Sequence, residues 1–179
     1  TLENNSYPLT PALQKGLRIT WKLSRWCNYD CSYCGVMVFS RRSAEQQAHA
    51  FDHYPVTDWI AAFQRLQKEK VVVKVLGGEP FMDRANWKQL LAGLLPDPRF
   101  EFDIFTNGSW NADYFKDLPH KERIGLIVSY HGTQTDFEPW RARLLKIRDA
   151  GFNVYSVVTV LAPENVAEAE RFRTVMVED

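Results

Sequence analysis

The stretch Cys27-Asn28-Tyr29-Asp30-Cys31-Ser32-Tyr33-Cys34 contains all three cysteines of the 179-residue chain. An odd number of clustered cysteines argues against a disulfide framework, which needs pairs of cysteines spread along the chain. Three thiolates in one short segment instead indicate a metal site, because thiolate sulfur suits zinc, Cu(I) and iron–sulfur clusters. An ordinary closed iron–sulfur cluster has four thiolate ligands. With only three, a four-iron cluster would keep one iron open, and catalysis needs such an open position.

Two other interpretations of the cysteines stay open at this point. Their spacing of i, i+4 and i+7 would place Cys27, Cys31 and Cys34 on one face of a helix, where they could be buried as small hydrophobic side chains. Alternatively, His49 and His53 follow with H-x3-H spacing, after a gap that resembles that of a zinc finger. The three cysteines and one of these histidines would then form a zinc site in a non-catalytic binding module.

The composition limits the class of protein. Hydrophobic residues make up 45% of the chain, which is typical of a packed protein rather than a disordered one. Lys+Arg equals Asp+Glu at 22 each, so no net charge directs the protein towards nucleic acid or a membrane surface. The sequence shows neither a signal peptide nor an apolar run of the ~20 residues that a spanning helix needs. With its unpaired thiols, the chain is therefore expected to be cytoplasmic.

Five segments have the composition of β-strands, and each is followed by a helical pattern. The predicted strands are Leu17–Leu23, Val71–Leu76, Phe100–Phe105, Ile124–Tyr130 and Asn153–Val160. Five repeated βα units predict an α/β fold whose strands are parallel and joined by right-handed crossovers. We expect residues 1–16 to form an N-terminal extension and residues 17–179 to form one domain.

The two faces of the predicted sheet differ in polarity. One face is apolar and should pack against helices; on the fifth strand it includes Val154 and Val158. The other face mixes apolar and charged residues, whereas a doubly wound sheet would be apolar on both faces. This pattern favours an open, partial TIM-type (β/α)5-6 barrel whose interior is a ligand cavity, with Lys74 facing Asp103 inside it. The same charges would also fit a filled interior in which they only neutralise each other.

Every chemically unusual motif follows the carboxyl end of a predicted strand. The cysteine segment follows the first strand, Gly77-Gly78-Glu79-Pro80 the second, Thr106-Asn107-Gly108 the third and Ser129-Tyr130-His131-Gly132 the fourth. Ligands bind at this rim in βα barrels and in open α/β sheets. Two glycines before Glu79 let the backbone approach a ligand closely. We expect Asn107, Ser129 and His131 to project over the same mouth.

These motifs resemble those of the radical S-adenosylmethionine (radical SAM) superfamily of the CxxxCxxC type. The resemblance rests on Cys-x3-Cys-x2-Cys after the first strand, Gly-Gly-Glu-Pro after the second and Asn-Gly after the third, and it covers about residues 17–162. It implies that Cys27, Cys31 and Cys34 ligate three irons of a [4Fe–4S] cluster. SAM would bind the fourth iron through its amino and carboxylate groups. Reductive cleavage of SAM would then give a 5′-deoxyadenosyl radical that abstracts hydrogen from a substrate.

The same resemblance assigns the cofactor contacts. The backbone at Tyr33 would meet the adenine, and the backbone of Gly77–Glu79 would meet the SAM amino group. Asn107 and Ser129 would contact the carboxylate or the ribose, and Val160 would lie near the adenine. An Asn before a Gly is equally typical of a turn residue. The complete set of residues implied to bind SAM is Tyr33, Gly77, Gly78, Glu79, Pro80, Asn107, Ser129 and Val160.

His131 is the candidate catalytic residue, because it is ionisable and is expected to point into the mouth. It would equally fit as hydrogen-bonded scaffolding. The usual domain of the superfamily has six βα units and five are predicted here, so one side of the barrel is expected to be open. That side would admit a large substrate such as a peptide, protein or RNA, or be closed by a partner or an extra segment. The resemblance also implies an external one-electron donor of the flavodoxin or ferredoxin type.

Overall fold

The computed structural model describes residues 15–35 and 50–178. Its centre is one parallel sheet in which five strands follow each other in chain order, and in this part of the chain the first and last strands form unclosed edges. The strands are β1 (Gly16–Ser24), β2 (Lys70–Gly77), β3 (Phe100–Thr106), β4 (Ile124–Tyr130) and β5 (Asn153–Thr159). The prediction of an open, partial TIM-type α/β fold is confirmed. The predicted extension falls almost wholly outside the described residues, and Gly16 instead begins β1.

Helices connect the strands on one side of the sheet. The α-helices in the described residues are α1 (Ala50–His53), α2 (Val56–Gln64), α3 (Arg84–Leu94), α4 (Phe137–Asp149) and α5 (Val166–Glu178). Short 3-10 helices lie at Pro80–Met82, Ala112–Phe115, Lys121–Arg123 and Pro163–Asn165. Helix α3 begins at Arg84 because the Asp83 carboxylate accepts a hydrogen bond from the Asn86 N–H at 3.3 Å. This contact satisfies one of the free N–H groups at the start of a helix.

The helix-facing side of the sheet is the hydrophobic core. Val71 and Val73 on β2 lie beside Phe100 and Phe102 on β3, and none of these four side chains is exposed. Trp87 of α3 covers this layer, and its ring lies 6.1 Å from that of Phe102 in an edge-to-face arrangement. Burial of this continuous apolar layer is the main favourable term in folding. Because the strands that it holds together are parallel, their carboxyl ends lie at one rim.

The opposite face of β1–β3 carries ion pairs, but not the predicted one. Lys74 and Asp103 are neighbours in the strand register, yet the carboxylate of Asp103 pairs with the guanidinium of Arg18 at 2.9 Å. The Lys74 ammonium instead lies 4.9 Å from the centre of the Phe105 ring. The predicted Lys74–Asp103 pair is therefore wrong, because the long side chain of Arg18 reaches across β2 to the same carboxylate.

A β-bulge reverses the predicted orientation of part of β5. Leu126 pairs with Val154 and Ile127 pairs with Ser156, so Tyr155 is an extra residue of β5 in the register with β4. An extra residue exchanges the faces of all residues that follow it. Val157 therefore packs against the core, whereas Val158 lies beside Ser129 and is 37% exposed. The prediction that Val158 lies on the helix side is therefore wrong.

The carboxyl ends of β1 and β2 are in direct backbone contact. The N–H groups of Gly78 and Glu79 donate to the carbonyl oxygens of Ser24 and Trp26, each at 2.8 Å. A Cβ atom on Gly77 would overlap with the Ser24 carbonyl oxygen, and one on Gly78 would overlap with that of Trp26. Gly77 also has φ +136°, a conformation that favours glycine. The two glycines thus allow the segment before the cysteines to lie on the end of β2.

Replacing Gly78 with Ala is expected to lower the free energy of unfolding by about 2 kcal/mol or more, because the new methyl group meets backbone that cannot move aside. Chemical denaturation of both proteins measures the difference. Gly35→Ala is the matched control, since no described heavy atom lies within 4 Å of a Cβ at that position. Equal stability of the Gly78→Ala variant and the wild type would contradict the tight contact.

Candidate functional site

A cavity with a volume of about 190 Å³ opens at the carboxyl ends of the strands. All three cysteines line it, together with residues at the carboxyl ends of β2, β3 and β4. The predicted site residues that the structure brings together here are Cys27, Cys31, Cys34, Gly77, Gly78, Asn107, Ser129 and His131. The cavity thus combines the chain's thiol groups with the glycine-rich end of β2, at the rim that binds ligands in this type of fold.

Other predicted residues lie away from the cavity wall. Glu79 and Pro80 are buried and do not line the cavity, and Val160 follows β5 with 37% of its surface exposed. The hydroxyl of Tyr33 contacts His131 at its Nδ1 atom. Of the two histidines in the zinc interpretation, His49 lies outside the described residues and His53 is exposed at the end of α1.

Sequence reasoning missed three cavity residues, namely Tyr29, Phe105 and Thr106. Phe105 lies two residues after Asp103 on β3, so the period of a strand could have placed it on the inner face. Tyr29 lies inside the cysteine segment, where the sequence motif assigns it no role of its own. No local signal marks Thr106 as a cavity residue, because the alternation along β3 places it on the buried, helix-facing side of the sheet.

The cysteine segment is held by hydrogen bonds from distant parts of the chain. The bonds join Asn28 to Asn107 (3.0 Å), Asp30 to Gln134 (2.9 Å) and Ser32 to Glu164 (2.5 Å). These partners follow β3, β4 and β5 respectively. Hydrogen bonds thus tie the segment to three strand ends, so its position depends on the sheet as a whole.

Burial shifts the acidity of the cysteine thiols. It raises the pKa of Cys27 to about 11, although the Tyr29 N–H donates to its sulfur at 3.4 Å and opposes the shift. Burial also raises the pKa of Cys31. Metals bind the thiolate form of cysteine, so metal binding at these positions must release protons.

The Glu79 carboxylate joins the end of β2 to the end of β3. It is 1% exposed and accepts hydrogen bonds from the Phe81 N–H at 3.1 Å, the Thr106 hydroxyl at 2.8 Å and the Asn107 N–H at 2.7 Å. Burial raises the pKa of Glu79 to about 7, although these donors favour the charged form. The side chain is therefore a buried connector of two strand ends.

His131 lies against the cysteine segment. Its Nδ1 atom is 3.1 Å from the Tyr33 hydroxyl and 3.7 Å from the Cys31 sulfur. The rings of His131 and Tyr33 are stacked, with centroids 6.1 Å apart and 14° between their planes. Burial lowers the pKa of His131, which favours the neutral imidazole. The residue thus both lines the cavity and supports the cysteine segment.

Together, these features define a class of α/β proteins: an open parallel sheet with a three-cysteine site at the carboxyl rim of its strands. The sequence model of the Radical SAM superfamily matches residues 21–175 of this chain. The chain belongs to the radical SAM superfamily. A search of curated proteins gave no significant match. Members of the superfamily use a [4Fe–4S] cluster and SAM, as the sequence motifs implied.

The donor set fits such a cluster. The three thiols surround a shared cavity, which suits ligands that each bind a different iron.

No helix in the described part of the chain has both the length and the apolar character that a membrane span needs.

Stability measured against pH tests the environment of Glu79. Between pH 4.5 and about 7 the folded chain keeps a proton that the unfolded chain has released. The free energy of unfolding should therefore fall as the pH rises through this window, by up to about 3 kcal/mol. The Glu79→Gln variant lacks this titration, so urea denaturation at pH 5 and pH 8 should show a smaller fall than in the wild type. Parallel changes in the two proteins would show that Glu79 has an ordinary pKa.

Proposed function

We propose that this chain is a radical SAM enzyme that abstracts hydrogen from a substrate still to be identified. Cys27, Cys31 and Cys34 would hold three irons of the cluster. The supporting observation is the meeting of all three thiols with Gly77 and Gly78 in one cavity at the rim of the parallel sheet. Three protein thiolates leave one iron for SAM.

When bound, the reduced cluster supplies the electron that cleaves SAM into methionine and a 5′-deoxyadenosyl radical. The chain's own residues would orient the cofactors and limit the access of water. Gly77 and Gly78 line the cavity, and their backbone would meet the SAM amino group. Asn107 and Ser129 would form polar contacts with SAM, and the rings of Tyr29 and Phe105 would form apolar parts of the cavity wall.

His131 would act mainly in positioning. Its imidazole supports the segment around Cys31 through the stacked ring and hydroxyl of Tyr33. The same imidazole borders the cavity, so a substrate above the cysteines would meet it. In this proposal Tyr33 would contact the adenine through its backbone while its side chain braces His131.

We propose that the substrate enters from the open side of the sheet. In the described part of the chain β5 is an edge strand, and the residues around its carboxyl end are apolar and accessible: Leu161 is 71% exposed and Val160 is 37% exposed. This side would admit a peptide, protein or RNA, or be covered by a partner. Reduction of the cluster would require an external donor of the flavodoxin or ferredoxin type.

The competing function is a zinc-stabilised binding module without catalysis. It would use the three cysteines and either His49 or His53. His53 is exposed and does not line the cavity, so the version of the module with His53 has no support, while His49 lies outside the described residues. Among the histidines that the structure describes, His131 approaches a cysteine: its Nδ1 atom is 3.7 Å from the Cys31 sulfur.

Anaerobic reconstitution with iron and sulfide separates these functions. The wild type is expected to become brown, to bind about four irons per chain and to release 5′-deoxyadenosine from SAM after reduction with dithionite. Cys31→Ala should lose the colour and this activity, because one of the three ligands is missing. Thr174→Ala, which shortens an exposed side chain on α5, is the control and should behave like the wild type.

Three other results would each lead to a different conclusion. A colourless wild type with one zinc per chain would favour the binding module. A full cluster without 5′-deoxyadenosine would indicate electron transfer alone. Full iron and activity in Cys31→Ala would show that the ligands are assigned wrongly.

A further inference from the structure

We infer that Asn107 is a positioning residue that donates a hydrogen bond from its side chain to the sulfur of Cys27, and thereby raises the reduction potential of the cluster. This inference rests on the proposed function, because it needs a cluster on Cys27. It assigns to the Asn107 carboxamide a role towards the iron site that differs from the SAM contact implied by the family motif.

The two hydrogens of the Asn107 carboxamide each have an acceptor. Asn107 lies directly after β3 and is only 6% exposed. Its Nδ2 atom lies 3.0 Å from Oδ1 of Asn28 and 3.8 Å from the sulfur of Cys27. One NH₂ group therefore contacts both a cysteine and the residue that follows it.

The orientation of this carboxamide is determined by its other contacts. Its Oδ1 atom accepts the backbone N–H of Ser109 at 2.9 Å, and a backbone N–H can only donate. The nitrogen end must therefore face Cys27. The backbone N–H of Asn107 donates to the buried Glu79 carboxylate at 2.7 Å, which fixes the residue from the side of β2. These contacts leave Asn107 little freedom to turn its donor away from the sulfur.

A donor at this sulfur has a defined electrostatic effect. Hydrogen bonds to the sulfurs of an iron–sulfur cluster are among the factors that set its reduction potential, because they stabilise the more negative, reduced state. Among the described residues, the other donor to Cys27 is the backbone N–H of Tyr29 at 3.4 Å, which a side-chain substitution leaves in place. Asn107 is therefore the contact that mutagenesis can remove.

Redox titration of the reconstituted protein, monitored by EPR without SAM, tests the inference. Asn107→Leu removes the donor at similar size, and Asn107→Asp replaces it with an acceptor. Both are expected to move the midpoint potential to more negative values than in the wild type, at equal iron content. Ser109→Ala is the matched control: it removes a 3.2 Å contact to the same Asn28 oxygen but keeps the Asn107 donor, so its potential should not change.

A second measurement does not depend on the stability of the variants. With ¹⁵N in the side-chain amide of asparagine, pulsed EPR of the reduced wild-type cluster should show a ¹⁵N hyperfine coupling. An absent coupling, or unchanged potentials in both Asn107 variants at full iron content, would overturn the inference and leave the proposed function intact. An equal shift in Ser109→Ala would also overturn it. A wild type that binds no cluster would instead refute the proposed function itself.

Discussion

The architecture of the site depends on the backbone contact between the exits of β1 and β2. The N–H groups of Gly78 and Glu79 donate to the carbonyl oxygens of Ser24 and Trp26. A Cβ atom on Gly77 or Gly78 would prevent this close approach. This contact determines where the chain is when it enters the cysteine segment, because Cys27 follows Trp26 directly. The glycines before Glu79 therefore serve the folding of the chain in addition to any ligand, and their side-chain-free surface still borders the cavity.

From that contact a connected series of hydrogen bonds crosses the rim. Glu79 follows the two glycines and binds the backbone of Asn107 through its buried carboxylate, and Asn107 in turn binds Asn28 in the cysteine segment. The series begins and ends beside Cys27. Burying a carboxylate is unfavourable unless donors surround it, and the donors around Glu79 come from two neighbouring strand ends. Since loss of one member leaves buried partners unsatisfied, the series holds these loops in one arrangement.

In the described part of the chain, the sheet is well covered at its centre and open at the β5 edge. The described core is concentrated around β2, β3 and β4, whose helix-facing residues are buried, whereas β5 carries exposed residues such as Val158. The cysteines lie at the well-supported part of the rim, under His131 and Tyr33. The cavity of about 190 Å³ therefore lies at the buried part of the sheet, whereas the proposed entry of a large substrate lies at its open edge.

The sequence by itself determined the five strands, their parallel order and the motifs at their carboxyl ends, because alternation of apolar residues and short motif spacings are local properties. Only the tertiary structure decided which groups pair across strands. Arg18 rather than Lys74 reaches Asp103, and the bulge at Tyr155 turns Val158 away from the core. The burial of Glu79 and the approach of Asn107 to Cys27 likewise join residues that are far apart in the chain. Such contacts follow from strand register and side-chain reach, which no local pattern of residues encodes.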